Sequence, residues 1–292
     1  MRKLVLVHGR SQEGKDPDEL KWTWVNALVS GLQKSGLELP VDYDSIAFPY
    51  YGDLLDQLIY GAEGEGDVQV ITRGVPQDED ELKFKGQLMQ AFAERANISD
   101  DQIREAIGDP TIQRSPFNWE WVQGIMRAFD QYVPAVSGTA LNLFTHDVYV
   151  YLKRPGVRDE VDKLVRSFIA NEEECVVVGH SLGSVVTFSV LRRDEAFLNV
   201  PLYVTIGSPL GLELIQNAFH PVDTPTCVAG WHNAMDPKDF VALYPLEAPH
   251  FVVSPEVENN KNVDNFVRNH HGIVGYLTDE NVARRIYEGI TS

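Results

Sequence analysis

Short, mainly apolar runs closed by Gly, Pro or Asn alternate along the chain with longer stretches whose apolar positions recur every three and four residues. Runs of the first kind suit strands buried on both faces of a parallel sheet; they predict strands at 4–7, 44–48, 175–178, 202–206, 226–230 and 251–253. The second pattern predicts amphipathic helices at 20–34, 157–170, 182–192 and 281–288. Strand and helix in alternation predict an α/β fold, a mostly parallel twisted sheet with helices on both faces.

Between residues 48 and 152 the rhythm breaks. The interval has no apolar run of strand type, but it carries acidic and aromatic helical pieces at 78–97 and 117–132. It reads as a helical insertion at about 60–145 within a single domain spanning 1–292. Its aromatics, among them Phe84, Phe92, Trp119, Trp121 and Phe129, suit either a lid with an apolar inner face or a small core of the insertion's own. The acidic run Asp78 to Glu81 reads as the solvated start of a helix.

A chain of 292 residues is long enough for one large or two ordinary domains. Its 43 acidic against 25 basic residues, a formal charge of -18, repel phosphate backbones and anionic headgroups. The charge argues against a nucleic-acid partner and against stable membrane attachment. Met1-Arg2-Lys3 is followed by too few apolar residues for a secretory signal, and no later run approaches a membrane span. Cys175 and Cys227 both sit in apolar runs, as buried thiols of a reducing compartment do. A cytoplasmic location is the expectation.

The sharpest chemical signal is Cys175-Val176-Val177-Val178-Gly179-His180-Ser181-Leu182-Gly183, a buried strand entering G-x-S-x-G and then a predicted helix. A serine presented for attack must sit on a very tight strand-to-helix turn, and Gly179 and Gly183 remove side chains that would collide there. The helix N-terminus directs amide N–H groups at developing negative charge, with the Leu182 amide as the natural donor. In this context the chain resembles the α/β-hydrolase family, and GHSLG is similar to the nucleophile motif of its lipases and esterases. The resemblance runs from the first predicted strand to the last helix and leaves out most of the insertion.

That family places an acid and then a histidine after the serine. For the acid, the resemblance favours Asp239, in Asp239-Phe240-Val241-Ala242, over Asp236, which would serve a turn with Pro237. For the base, it favours His271, before Gly272 and Tyr276, over its neighbour His270. His8-Gly9 resembles the family's oxyanion loop, so Gly9 and Arg10 would join Leu182 in binding the oxyanion. No metal-ligand spacing accompanies the paired histidines, and neither metal nor organic cofactor is expected.

The resemblance implies a serine hydrolase acting on a small or acyl-chain ester, with thioesterase, amidase or lipase activity as alternatives on the same residues. A binding or signalling protein on a hydrolase scaffold is the rival from another class. A third reading comes from Gly9-Arg10-Ser11-Gln12-Glu13-Gly14-Lys15-Asp16, which nearly spells the phosphate-binding G-x-x-x-x-G-K-[ST] loop. Asp16 stands where that loop needs a hydroxyl, and Glu13 adds charge of the wrong sign.

Overall fold

The apolar runs pair where both faces are covered. Strands β1 (Lys3–Val7), β2 (Cys175–His180) and β3 (Leu202–Ile206) lie side by side, and β4 (Trp231–Ala234) and β5 (Glu258–Asn260) extend the sheet in the order β1-β2-β3-β4-β5, parallel throughout. The structure, a computed structural model, describes residues 1–61, 75, 76, 78–133, 135–169 and 173–292. The α-helices among them are α1 (Pro17–Lys34), α2 (Gly52–Tyr60), α3 (Glu79–Arg95), α4 (Asp100–Ile107), α5 (Trp119–Tyr132), α6 (Gly138–Lys153), α7 (Pro155–Arg166), α8 (Leu182–Arg193), α9 (Glu213–Gln216), α10 (Ile273–Leu277) and α11 (Glu280–Thr291). The chain forms two compact units, Met1–Leu55 with Arg158–Ser292, and Asp56–Val157.

In the first unit the period-2 alternation of a strand sorts side chains onto two faces. Leu4, Leu6, Val176, Val178, Val204 and Ile206 share a core with Trp24 and Leu28 of α1 and with Val282 and Ile286 of α11. Tyr203 points the other way, where its hydroxyl donates to the Ser184 carbonyl of α8. Helices thus cover both faces, and each fully buried aliphatic side chain contributes about 1.5–3 kcal/mol relative to exposure. Asp16 caps α1 by accepting from the Asp18 and Glu19 amides, with Pro17 in the first turn. No helix among the described residues is long and apolar enough to cross a membrane.

Three strand expectations are corrected. At 44–48 the chain instead makes a 3-10 turn, Tyr43–Ser45, and touches the sheet through a single bridge of Ala47 to Val5; Asp44 and Ser45 favour the turn and Pro49 prevents continuation. The run 226–230 only bridges the sheet at Val228, and β4 begins one residue beyond it. Residues 251–253 form a loop whose Phe251 ring packs edge-on to Trp231, and the neighbour of β4 is the polar segment Glu258–Asn260. Cys227, expected to be buried, is half-buried, whereas Cys175 is buried.

The second unit is helical and starts earlier and ends later than the 60–145 expected; residues 62–74, 77 and 134 of that expectation lie outside the described ones. Phe84, Phe92, Trp121, Phe129 and Phe144 are buried within this unit's own core, with Phe92 against Phe144 and the Trp121 indole donating to Gln90. The acidic run is only partly solvated. Asp78 caps α3 by accepting from the Glu81 amide, but Glu81 is fully buried, 3.0 Å from the Lys85 ammonium and 2.5 Å from His146 Nδ1. Glu81, Phe84, Lys85, Leu88 and Phe92 occupy one helical face, so the inner face of α3 carries a paired charge at one end.

Candidate active site

The candidate nucleophile sits between β2 and α8. Ser181 has φ 54° and ψ -128°, a region costly for any side-chain-bearing residue and characteristic of functional turns. Its amide donates to the Ile206 carbonyl of β3, which ties the turn to the sheet. A Cβ on Gly179 would lie 2.6 Å from Thr187 Oγ1, and one on Gly183 would strike the Val7 and His8 carbonyl oxygens. Gly179 therefore lets α8 close against β2, and Gly183 lets it close against the end of β1, around the serine at the carboxyl edge of the sheet.

Three groups meet there. Ser181 Oγ is 2.9 Å from His271 Nε2, and His271 Nδ1 is 2.8 Å from Asp239 Oδ2. Since the carboxylate only accepts, Nδ1–H donates to it and Nε2 accepts from the serine hydroxyl, which fixes the tautomer. Asp239 is fully buried, and its Oδ1 accepts from the Val241 amide. Such a chain can move a proton from hydroxyl to imidazole while the carboxylate stabilises the resulting cation. Ser184 and Ser208, the other serines nearby, bond to each other and are buried.

The neighbouring candidates form a separate pair. Asp236 Oδ2 is 3.3 Å from His270 Nδ1 and accepts from the Asn265 amide, while its Oδ1 accepts from the Lys238 amide. The expected turn role of Asp236 is present, together with a tether on the loop that carries both histidines. His270 has φ 55° and its Nδ1–H donates to the Asn265 carbonyl.

Gly9 approaches the serine closely, for a Cβ there would stand 2.9 Å from Ser181 Cβ and 3.4 Å from Ser181 Oγ. His8 holds this loop. Its Nδ1–H donates to the Gly9 carbonyl at 2.7 Å, its Nε2 accepts from the Tyr51 amide at 3.0 Å, and the Tyr51 ring stacks on it at 4.2 Å. Burial pushes the His8 pKa down to about 4, so the neutral ring that both bonds require persists through neutral pH. The Gly9–Arg10 peptide is thereby oriented, and in a trans peptide the Arg10 N–H points away from the anchored carbonyl. Leu182 is the first residue of α8, whose N–H has no intrahelical acceptor.

Several contributors were not read from the sequence. His180, immediately before Ser181, lies against His271 with ring centroids 4.7 Å apart and the rings tilted by 32°, and its Nε2–H donates to the His271 carbonyl. Burial first, and the facing His271 second, push its pKa well below the ordinary value. Gly207 (φ 55°) leaves room at the end of β3, where a Cβ would come within 3.1 Å of Asp239 Oδ2; a glycine directly after a buried strand was the available signal. Tyr276, previously only a spacing marker, donates its hydroxyl to Asp239.

The phosphate-loop reading meets carboxylates where phosphate would sit. Asp16 takes the first amides of α1, Asp53 Oδ1 accepts from the Gly14 amide at 2.7 Å, and Lys15 Nζ donates to Gln12 Oε1. Titrating the protein calorimetrically with ATP or GTP and magnesium is expected to give no saturable heat at millimolar nucleotide. Micromolar binding lost in Lys15→Ala would restore the nucleotide reading. Among the described residues no group of three or more His, Cys, Asp or Glu side chains is gathered as a metal site.

Comparison with protein-family models, with curated proteins and with solved structures finds no match to this chain. The parallel sheet with helices on both faces defines it as an α/β protein, an architecture compatible with the hydrolase resemblance.

Proposed function

We propose that the chain is a serine hydrolase that cleaves a carboxylic ester through an acyl-enzyme intermediate. The observation that carries this reading is the unbroken series Ser181 Oγ, His271 Nε2, His271 Nδ1, Asp239 Oδ2 on a serine held in a strained turn. His271 takes the hydroxyl proton as Ser181 attacks the carbonyl carbon, and the Leu182 and Arg10 amides hold the oxyanion beside the clearance left by Gly9. The imidazolium then gives its proton to the leaving alcohol. Water, deprotonated by the same imidazole, releases the acid and restores Ser181.

Esters, thioesters and amides pass through the same tetrahedral species. A soluble acyl ester is the preferred substrate, because a net charge of -18 opposes approach to an anionic bilayer. The same reading assigns the helical unit the part of lid. The proton path from Ser181 through His271 to Asp239 favours an enzyme over a binding module, which would have no use for it.

Treatment with a fluorophosphonate, followed by peptide mass spectrometry, tests the reading without knowledge of the substrate. The adduct is expected on Ser181 alone. An adduct on Ser184 or Ser208, or none on folded protein, would overturn it.

A further inference from the structure

We propose, resting on the hydrolase reading, that Tyr276 is a positioning residue that sets the pH at which His271 becomes a competent base, through the Asp239 oxygen that the two share. The Tyr276 hydroxyl donates to Asp239 Oδ2 at 2.7 Å, the same oxygen that faces His271 Nδ1 at 2.8 Å. It also accepts from the Asp236 amide at 3.0 Å, so one phenol joins both carboxylate-bearing positions of the loop after β4. The ring is fully buried. Burial, and after it the negative charge of Asp239, push the phenol's pKa well above the ordinary value, so it remains a donor wherever the site would operate.

The carboxylate's other oxygen is engaged by the Val241 amide. Tyr276 and His271 therefore compete for the electron density of Oδ2, and a bond from a neutral hydroxyl to an ionised acceptor is among the stronger hydrogen bonds. Density drawn toward the phenol is withheld from the imidazolium that forms when His271 accepts the serine proton. Taking the phenol away leaves Asp239 to stabilise that imidazolium more strongly. His271 then holds its proton to higher pH, and the free base needed to activate Ser181 emerges later.

Two buried imidazoles at the strand ends stay neutral during this change. His180, at the end of β2, lies against His271 as a neutral ring tilted by 32°, and His8, at the end of β1, is neutral as well. Asp236 and His270 face each other one step further along the loop. Asp239 is thus the carboxylate in direct contact with the base, and Tyr276 is the side chain that modulates it.

The test is the rate of fluorophosphonate labelling of Ser181 against pH in wild type, in Tyr276→Phe and in protein carrying a ring-fluorinated tyrosine at position 276. The fluorinated phenol keeps the shape and both bonds but is a stronger donor. The acid limb is expected to move to higher pH by about one unit in Tyr276→Phe and to lower pH with the fluorinated residue. A purely structural tyrosine would lower thermal stability and labelling amplitude in Tyr276→Phe while leaving the limb in place. Limbs that superimpose in a labelling-competent wild type and the fluorinated protein overturn this inference alone, and should Tyr276→Phe fail to fold, the fluorinated protein decides by itself. Absence of labelling in wild type overturns the hydrolase reading and this inference together.

Discussion

Replacing Ser181 with alanine is expected to lower kcat for a p-nitrophenyl ester by about a million-fold, the scale on which removal of the nucleophile disables a serine hydrolase. The melting temperature should change little. Ser181 is buried, but the bond its hydroxyl makes is with His271, and an alanine methyl fits the same backbone turn with the same strain. A net loss of about 1 kcal/mol covers the missing hydrogen bond. The combination separates chemistry from folding: turnover collapses while the unfolding curve stays near that of wild type. Residual activity within tenfold of wild type would remove Ser181 from the mechanism, whatever the geometry around it.

Ser181 was legible because its local requirements are written locally. A buried strand, two glycines and a helix start lie within one continuous segment, and the strain at the serine follows from that spacing. The partners of Ser181 were legible only through the resemblance, because nothing within 236–239 or 269–272 says which carboxylate meets which histidine. That pairing depends on where the loop after β4 and the loop before α10 meet in space. The Tyr276 hydroxyl belongs to the same category, since its two bonds reach residues far along the chain.

Strands β4 and β5 escaped notice for a different reason. His232 and Asn233 look like loop residues, yet both are buried, and Asn233 is satisfied by Thr205 and Asn259 on the flanking strands. A buried polar network of this kind has no apolar signature. Glu81 illustrates the same limit in the helical unit, where a run of acidic residues conceals one whose partners come from the next turn and from a different helix.

The adjacent histidines and nearby aspartates should therefore respond in different observables. Asp239→Asn is expected to lower kcat about 10,000-fold, because the amide can present its N–H to the imidazole and invert the tautomer that Ser181 needs. His271→Ala should cost more, approaching the loss of the nucleophile itself. Asp236→Asn acts elsewhere. Asp236 is buried and uses both carboxylate oxygens to accept amides, from Lys238 and Asn265, whereas an asparagine side chain has a single acceptor oxygen and leaves one of those donors unmatched. The expected result is about 1–3 kcal/mol of lost stability and a fall in kcat of no more than tenfold. His270→Ala gives up the bond to the Asn265 carbonyl and the 3.3 Å contact with Asp236 at a half-buried position and should be milder still. Measuring kcat and chemical unfolding on all four variants places each on a plane of activity against stability. Asp239 and His271 should fall along the activity axis and Asp236 along the stability axis. If Asp236→Asn or His270→Ala shows the larger loss of kcat, the roles belong to that neighbour, and the contacts seen around Asp239 and His271 are not those of the working enzyme.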